Sequence, residues 1–258
     1  MPFAESFDGN KIFYEISGEG QPIIFLSCVG AGVDFWKYQK PLSSKYKLFL
    51  IDTAGYGKSD KNRGKYTYSS FAQDVKAVIK KEKLQEVILV GHSFGGIIAI
   101  ETAILLKEKI KGIIAIDSMI PYTVYYGRKA TEEEITEVMK EYDGDYKNNY
   151  DNLIRGMLGD RVDEETKEWV VSIAGYDAND PMILKDMILT MLEHDYHEII
   201  SQVSCPIQYI LRSLQSRIDE IKNEQKNAII IDNVGHLMNI EQPQIFNEII
   251  EKIIQQMN

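Results

Sequence analysis

Cysteine is nearly absent: Cys28 and Cys205 are the only two in 258 residues. That excludes the disulfide framework on which small secreted domains depend and makes a reducing, cytoplasmic setting the expectation. An excess of positive charge is also missing. Lys and Arg number 29 against 39 Asp and Glu, a formal net charge of −10, the wrong sign for a surface that tracks phosphates. No nucleic acid is therefore expected as a partner. No apolar run reaches the roughly 18 residues of a membrane span. The opening MPFAESFDGNKIFYEI lacks the basic start and apolar stretch of a signal peptide, so the chain is expected to be soluble and unprocessed, with no membrane partner. Histidine is scarce as well. His194 and His197 stand at helical spacing without a cysteine beside them, so no metal is expected there and no cofactor elsewhere. Gly57-Lys58-Ser59 has the look of a phosphate-binding loop, but the leading glycine would fall at position 52, which is Asp52, so ATP use is not supported.

What the chain does have is a rhythm. With 44% hydrophobic residues it can bury one large core. Asp8-Gly9-Asn10 sits between strand-like segments as a hairpin turn. Short apolar strands at 22–28, 46–52, 86–91 and 113–117 then alternate with helical patterns at 34–44, 69–82 and 95–108. Fully apolar strands alternating with helices imply an α/β fold: a mostly parallel twisted sheet with helices on both faces. Residues 118–203 break the rhythm with charged, helix-forming sequence and no strand pattern. Strands resume at 207–211 and 228–232, and an amphipathic helix at 244–256 closes the chain, using Ile245, Phe246, Ile249, Ile250 and Ile253. The expected organisation is a core of residues 1–117 and 204–258 with a helical cap inserted at 118–203.

Val87 to Ile97 reads VILVGHSFGGI. A buried strand runs into Gly91-His92-Ser93-Phe94-Gly95, and an apolar helix follows at once. The bare G-x-S-x-G pattern arises by chance in roughly one chain of this length in ten. The strand before it and the helix after it carry the signal: a serine on a strained turn, its hydroxyl clear of the backbone at the carboxyl edge of a sheet. Three further stretches agree. They are Asp52-Thr-Ala-Gly55-Tyr-Gly57-Lys-Ser59 after a strand, Gly235-His236 ahead of the closing helix with Glu241 and Pro243 beyond it, and Ser27-Cys28-Val29-Gly30 after the strand at 22–28. In this order and spacing they resemble the α/β-hydrolase fold superfamily, specifically its cap-bearing, esterase-like serine hydrolases, and the resemblance runs nearly end to end.

The resemblance implies a nucleophile at Ser93, a general base at His236 and an oxyanion hole from the backbone amides of Phe94 and Val29. It also exposes two departures. Relatives commonly carry an Asp after the strand read here as 207–211, but this chain continues Arg212-Ser213-Leu214-Gln215. Asp117, at the end of the preceding sheet strand, keeps the order Ser, Asp, His; Asp219, or no acid at all, are the alternatives. The common His-Gly of the oxyanion loop is replaced by Ser27-Cys28, and Cys28 lacks the elbow that would make it a nucleophile. Tyr122, Tyr126 and Trp169, in the cap, are candidates for substrate contact, with cap core as the competing role. The implied activity is cleavage of a small or medium carboxylic ester, lactone or thioester through an acyl-enzyme, on a small-molecule acyl substrate. An acyltransferase or lyase on the same fold, or a receptor-like protein with degenerate catalysis, are the alternatives.

Overall fold

The computed structural model describes residues 2–118, 131–141, 145–180, 182–193, 196–213 and 228–257. The apolar runs form strands β1 (Phe3–Glu5), β2 (Lys11–Ser17), β3 (Pro22–Leu26), β4 (Lys47–Ile51), β5 (Val87–His92), β6 (Ile110–Ile116), β7 (Ile207–Arg212) and β8 (Ile229–Ile231). They build one sheet in the order β1-β2-β4-β3-β5-β6-β7-β8. The hairpin strands add antiparallel at one end, and from β4 to β8 every pairing is parallel. β3, β5 and β6 are buried along nearly their whole length, which is why they read as continuous Ile, Val and Leu rather than as an alternation.

Helices α1 (Tyr68–Lys81) and α2 (Phe94–Leu106) are crossovers between parallel strands. Thr67 and Ser70 close a reciprocal capping box at the start of α1. The segment expected as a helix at 34–44 is instead a run of 3-10 turns, Val33–Ser44, with non-helical geometry at Trp36 and Pro41 inside it. Pro41 has no amide hydrogen to give to a helical ladder, so no continuous α-helix runs through the segment. Between β6 and β7 lie α3 (Glu132–Glu141), α4 (Tyr146–Gly156), α5 (Glu164–Ala174), α6 (Met182–Glu193) and α7 (Tyr196–Ile200), so the inserted stretch without a strand pattern is mainly helical among its described residues. α8 (Met238–Glu241) and α9 (Pro243–Met257) end the chain. Among the described residues no helix is long and apolar enough to cross a membrane.

Register brings the strand ends level. His92 pairs with Ile116, and Ile116 with Ile210. The ladder then continues one residue further: Ser93 N–H donates to Ile116 O at 2.8 Å and Asp117 N–H to Ile210 O at 2.8 Å. Ser93, Asp117 and the end of β7 thus share one carboxyl edge, beside the point where the strand order reverses around β3, the usual ligand position of an open parallel sheet.

A buried ion pair fixes the loop after β4 to the rest of the core. Both Arg63 terminal nitrogens reach the Asp74 carboxylate, at 3.0 and 2.7 Å, while Ser6 Oγ and the Ala54 amide donate to the same group. Arg63 Nε adds Asp8 at 2.8 Å. The Asp74 side chain is 0% exposed and that of Arg63 4%. Removing Asp74 leaves the buried guanidinium with Asp8 alone and both terminal nitrogens without a carboxylate, and breaking a buried pair costs about 3–5 kcal/mol. Asp74→Ala should therefore lose about that much unfolding free energy in urea; a loss below about 1 kcal/mol would show that the pair is not what holds this corner.

Candidate active site

Ser93 sits at φ 54°, ψ −118°, a conformation rare for a residue with a side chain. The turn is forced by close packing on both sides. A Cβ on Gly91 would stand 2.3 Å from Gly95 O, and one on Gly95 would stand 2.1 Å from Leu26 O, so only glycines let strand, turn and helix approach. Ser118 Oγ donates to Ser93 O, closing the turn from the β6 side. The Ser93 side chain caps nothing, although Ser93 occupies the N-cap position of α2. Phe94 is the first residue of that helix, and its amide belongs to the first-turn donors that have no carbonyl partner inside a helix.

The loop after β3 lies directly against this turn, since Gly95 packs on the carbonyls of Leu26 and Ser27. Its tight part is held by Ala31 N–H to Cys28 O at 3.2 Å, with Gly30 at φ 78°. Val29 is buried in this loop, 2% exposed. Burial pushes the Cys28 thiol up to about 12, which keeps it protonated and removes it as a nucleophile.

His236 arrives on the loop after β8. Its Nδ1–H donates to Asp117 Oδ2 at 2.5 Å, which leaves Nε2 of the neutral ring free to accept a proton. Asp117 is itself at φ 41°. Burial alone would push its carboxyl up, but the hydrogen bond from His236 and the nearby positive charge, Arg212 included, hold it below the usual carboxylate value. Arg212 Nε lies 2.9 Å from the same oxygen, at an angle too oblique for a hydrogen bond, so its influence is Coulombic. On the other side His92 Nε2–H donates to the His236 carbonyl at 2.7 Å, with the two rings 4.7 Å apart. Burial, helped by repulsion from His236, lowers His92 to about 3, so that ring is neutral at ordinary pH and serves as a fixed donor. His236 is thereby held between the residue before Ser93 and the residue across the ladder from Ser93. Among the described residues no hydrogen bond joins Ser93 Oγ to the His236 ring; contacts of this kind are commonly long without substrate and tighten with it.

The inserted helices are fastened to these same loops. His236 N–H donates to Met157 O at 2.7 Å, and the Glu241 carboxylate accepts from Gly235 N at 3.0 Å and from Gly159 N at 3.2 Å. Asn179 donates to Gly30 O, and Tyr150 Oη would stand 2.4 Å from a Cβ on Gly30.

Trp169, a candidate for substrate contact or for cap core, has its ring 6.0 Å from that of Tyr38 and beneath Lys37 Nζ at 4.9 Å. These contacts put it where the insertion meets the Val33–Ser44 segment. Tyr122, Tyr126, Asp219 and His194 lie outside the described residues, which hold no group of three or more His, Cys, Asp or Glu placed to bind a metal. Sequence reasoning gave Glu241 no role although it stood in a recognised stretch, and took Arg212 only as a missing acid. Their value lies in contacts across the fold that no local pattern carries.

Strain at Ser93 predicts a stability change. A residue in this region costs about 1–3 kcal/mol, against about 0.5–1 kcal/mol of extra backbone entropy lost by a glycine on folding. Ser93→Gly should raise unfolding free energy by about 1 kcal/mol in denaturant titration; a lowered midpoint would show that the turn is unstrained.

Comparisons with known proteins agree with the architecture. The profile of the alpha/beta hydrolase fold family matches residues 21–154. The chain is 25% identical over 255 residues to the AB hydrolase superfamily protein YisY of Bacillus subtilis, covering 93% of each. It is 30% identical over 118 residues to the putative carbamate hydrolase RutD of Azorhizobium caulinodans, and that match spans 45% of this chain and only 44% of the relative. Among solved structures, an esterase from Exiguobacterium antarcticum superposes with a TM-score of 0.82 at 22% identity, covering 98% of each chain. With that profile over more than half its length, and with this sheet order, the chain belongs to the alpha/beta hydrolase fold family.

Proposed function

We propose that this chain is a cofactor-independent serine hydrolase that cleaves a small or medium carboxylic ester, lactone or thioester. The observation that carries the reading is the 2.5 Å contact of His236 Nδ1 with a buried Asp117, on the sheet edge where Ser93 follows the end of the neighbouring strand. A serine hydroxyl is a poor nucleophile until a base takes its proton. His236 Nε2 takes it as Ser93 Oγ bonds to the acyl carbon, and Asp117 stabilises the imidazolium that results. The carbonyl electrons move to oxygen, and the amides of Phe94 and Val29 receive that charge. Collapse of the intermediate breaks the bond to the leaving group, which leaves with the proton from His236. Water, deprotonated by the same ring, then releases the acid and restores Ser93. The insertion, tied to the loops that carry Gly30 and His236, covers the edge and limits the size of the acyl group. The esterase and carbamate hydrolase among the similar proteins support the substrate class.

The direct test is a fluorophosphonate probe followed by intact mass and peptide mapping, beside a panel of p-nitrophenyl esters of increasing chain length. Wild type should gain one adduct, on Ser93, and turn over the shorter esters. Ser93→Ala should lose both. Equal labelling of the two proteins would end the assignment.

A further inference from the structure

We infer that Arg212 is a positioning residue that tunes the base, standing as a fixed cation behind the Asp117–His236 pair. The inference rests on the catalytic reading of that pair. Its footing is geometric: one carboxylate oxygen, Asp117 Oδ2, meets His236 Nδ1 at 2.5 Å on one side and Arg212 Nε at 2.9 Å on the other. The arginine occupies the strand end at which the sequence resemblance expected the acid. The acid has moved to β6, and a cation has taken the end of β7.

The consequences are electrostatic. A carboxylate shared by two cations supports each less than it would support one alone. Protonating His236 therefore places a second positive charge around a single buried anion, and the ring keeps its lone pair to lower pH than an unshared Asp–His pair would. The Asp117 side chain is 2% exposed and that of Arg212 29%, so little water lies between them to screen the effect. Among the described residues, the other groups facing the pair do not oppose it. His92 from β5 is neutral at ordinary pH. The carboxylate of Glu241, from α8, is engaged by the amides of Gly235 and Gly159. Arg161, on the insertion, reaches Asn233, three residues before His236, and adds charge of the same sign as Arg212.

The test compares wild type, Arg212→Gln, Arg212→Met and Arg212→Lys in the full chain. The acid limb of kcat/KM against pH should rise by about 0.5 to 1 unit in the two neutral variants. The lysine variant should stay within about 0.2 unit of wild type, and the high-pH plateau should be retained in all. A parallel NMR titration of the His236 ring in a Ser93→Ala background, assigned by its loss in His236→Gln, should show the same rise without depending on turnover. An unmoved His236 titration in Arg212→Gln and Arg212→Met would overturn the inference. A uniform loss of rate at every pH with no shift, unrescued by lysine, would overturn it too and make Arg212 a purely structural brace. If the catalytic reading itself is wrong, Ser93→Ala will keep wild-type turnover, whereas the NMR titration will still report whether Arg212 sets the proton affinity of His236.

Discussion

The hydrogen bond between His236 and Asp117 joins parts of the chain 119 residues apart, and the geometry of the site depends on it. Everything around it serves to hold those two side chains at one sheet edge. Ladder bonds carry β5 and β6 one residue past their regular ends, which puts Ser93 and Asp117 level. Both then turn with positive φ, so each leaves the sheet abruptly instead of continuing the strand. Such conformations cost free energy and persist only where packing determines them. Here the packing is the glycine contact between the turn and the loop after β3, together with the buried strands beneath.

The second constraint is that the insertion does not merely rest on the core. It donates to, or accepts from, the loop that bears Gly30, the loop that bears His236 and the loop after β4, where Asp180 N–H donates to Gly55 O at 3.1 Å and Tyr66 Oη donates to Asp180 at 2.9 Å. Glu241 bridges the seam with one side chain, since its carboxylate accepts from an amide on each side. A change in the insertion near Met157–Gly159 would therefore be felt by the backbone of His236 itself.

Much of this was legible in the sequence for a physical reason: parallel strands buried on both faces are short apolar runs, and the Gly91-His92-Ser93-Phe94-Gly95 turn needs glycines at fixed offsets. The reading was weakest where a strand is not purely apolar. β6 begins at Ile110, three residues before the apolar run suggested, because Lys111 and Gly112 interrupt the pattern where the pairing with β5 shifts register and passes over Lys111. The 3-10 character of Val33–Ser44 was concealed by a helical spacing of apolar residues around Pro41. Asp117 could be named from its place at a strand end, but its left-handed backbone and its shared oxygen depend on residues from β7 and the loop after β8. For the same reason the partners of His92 and Glu241 could not be read from their neighbours in sequence, and Trp169 could be assigned to the insertion but not to its seam with Tyr38.

The central claim is that the acid supporting His236 is supplied by the end of β6. The most direct measurement is the steady-state rate of Asp117→Asn on a p-nitrophenyl ester beside that of Asp219→Asn. An amide at position 117 cannot fix the Nδ1–H tautomer or stabilise the imidazolium, and kcat should fall by up to about 10⁴-fold while Asp219→Asn remains near wild type. The reverse pattern, with Asp117→Asn near wild type and Asp219→Asn inactive, would contradict the account.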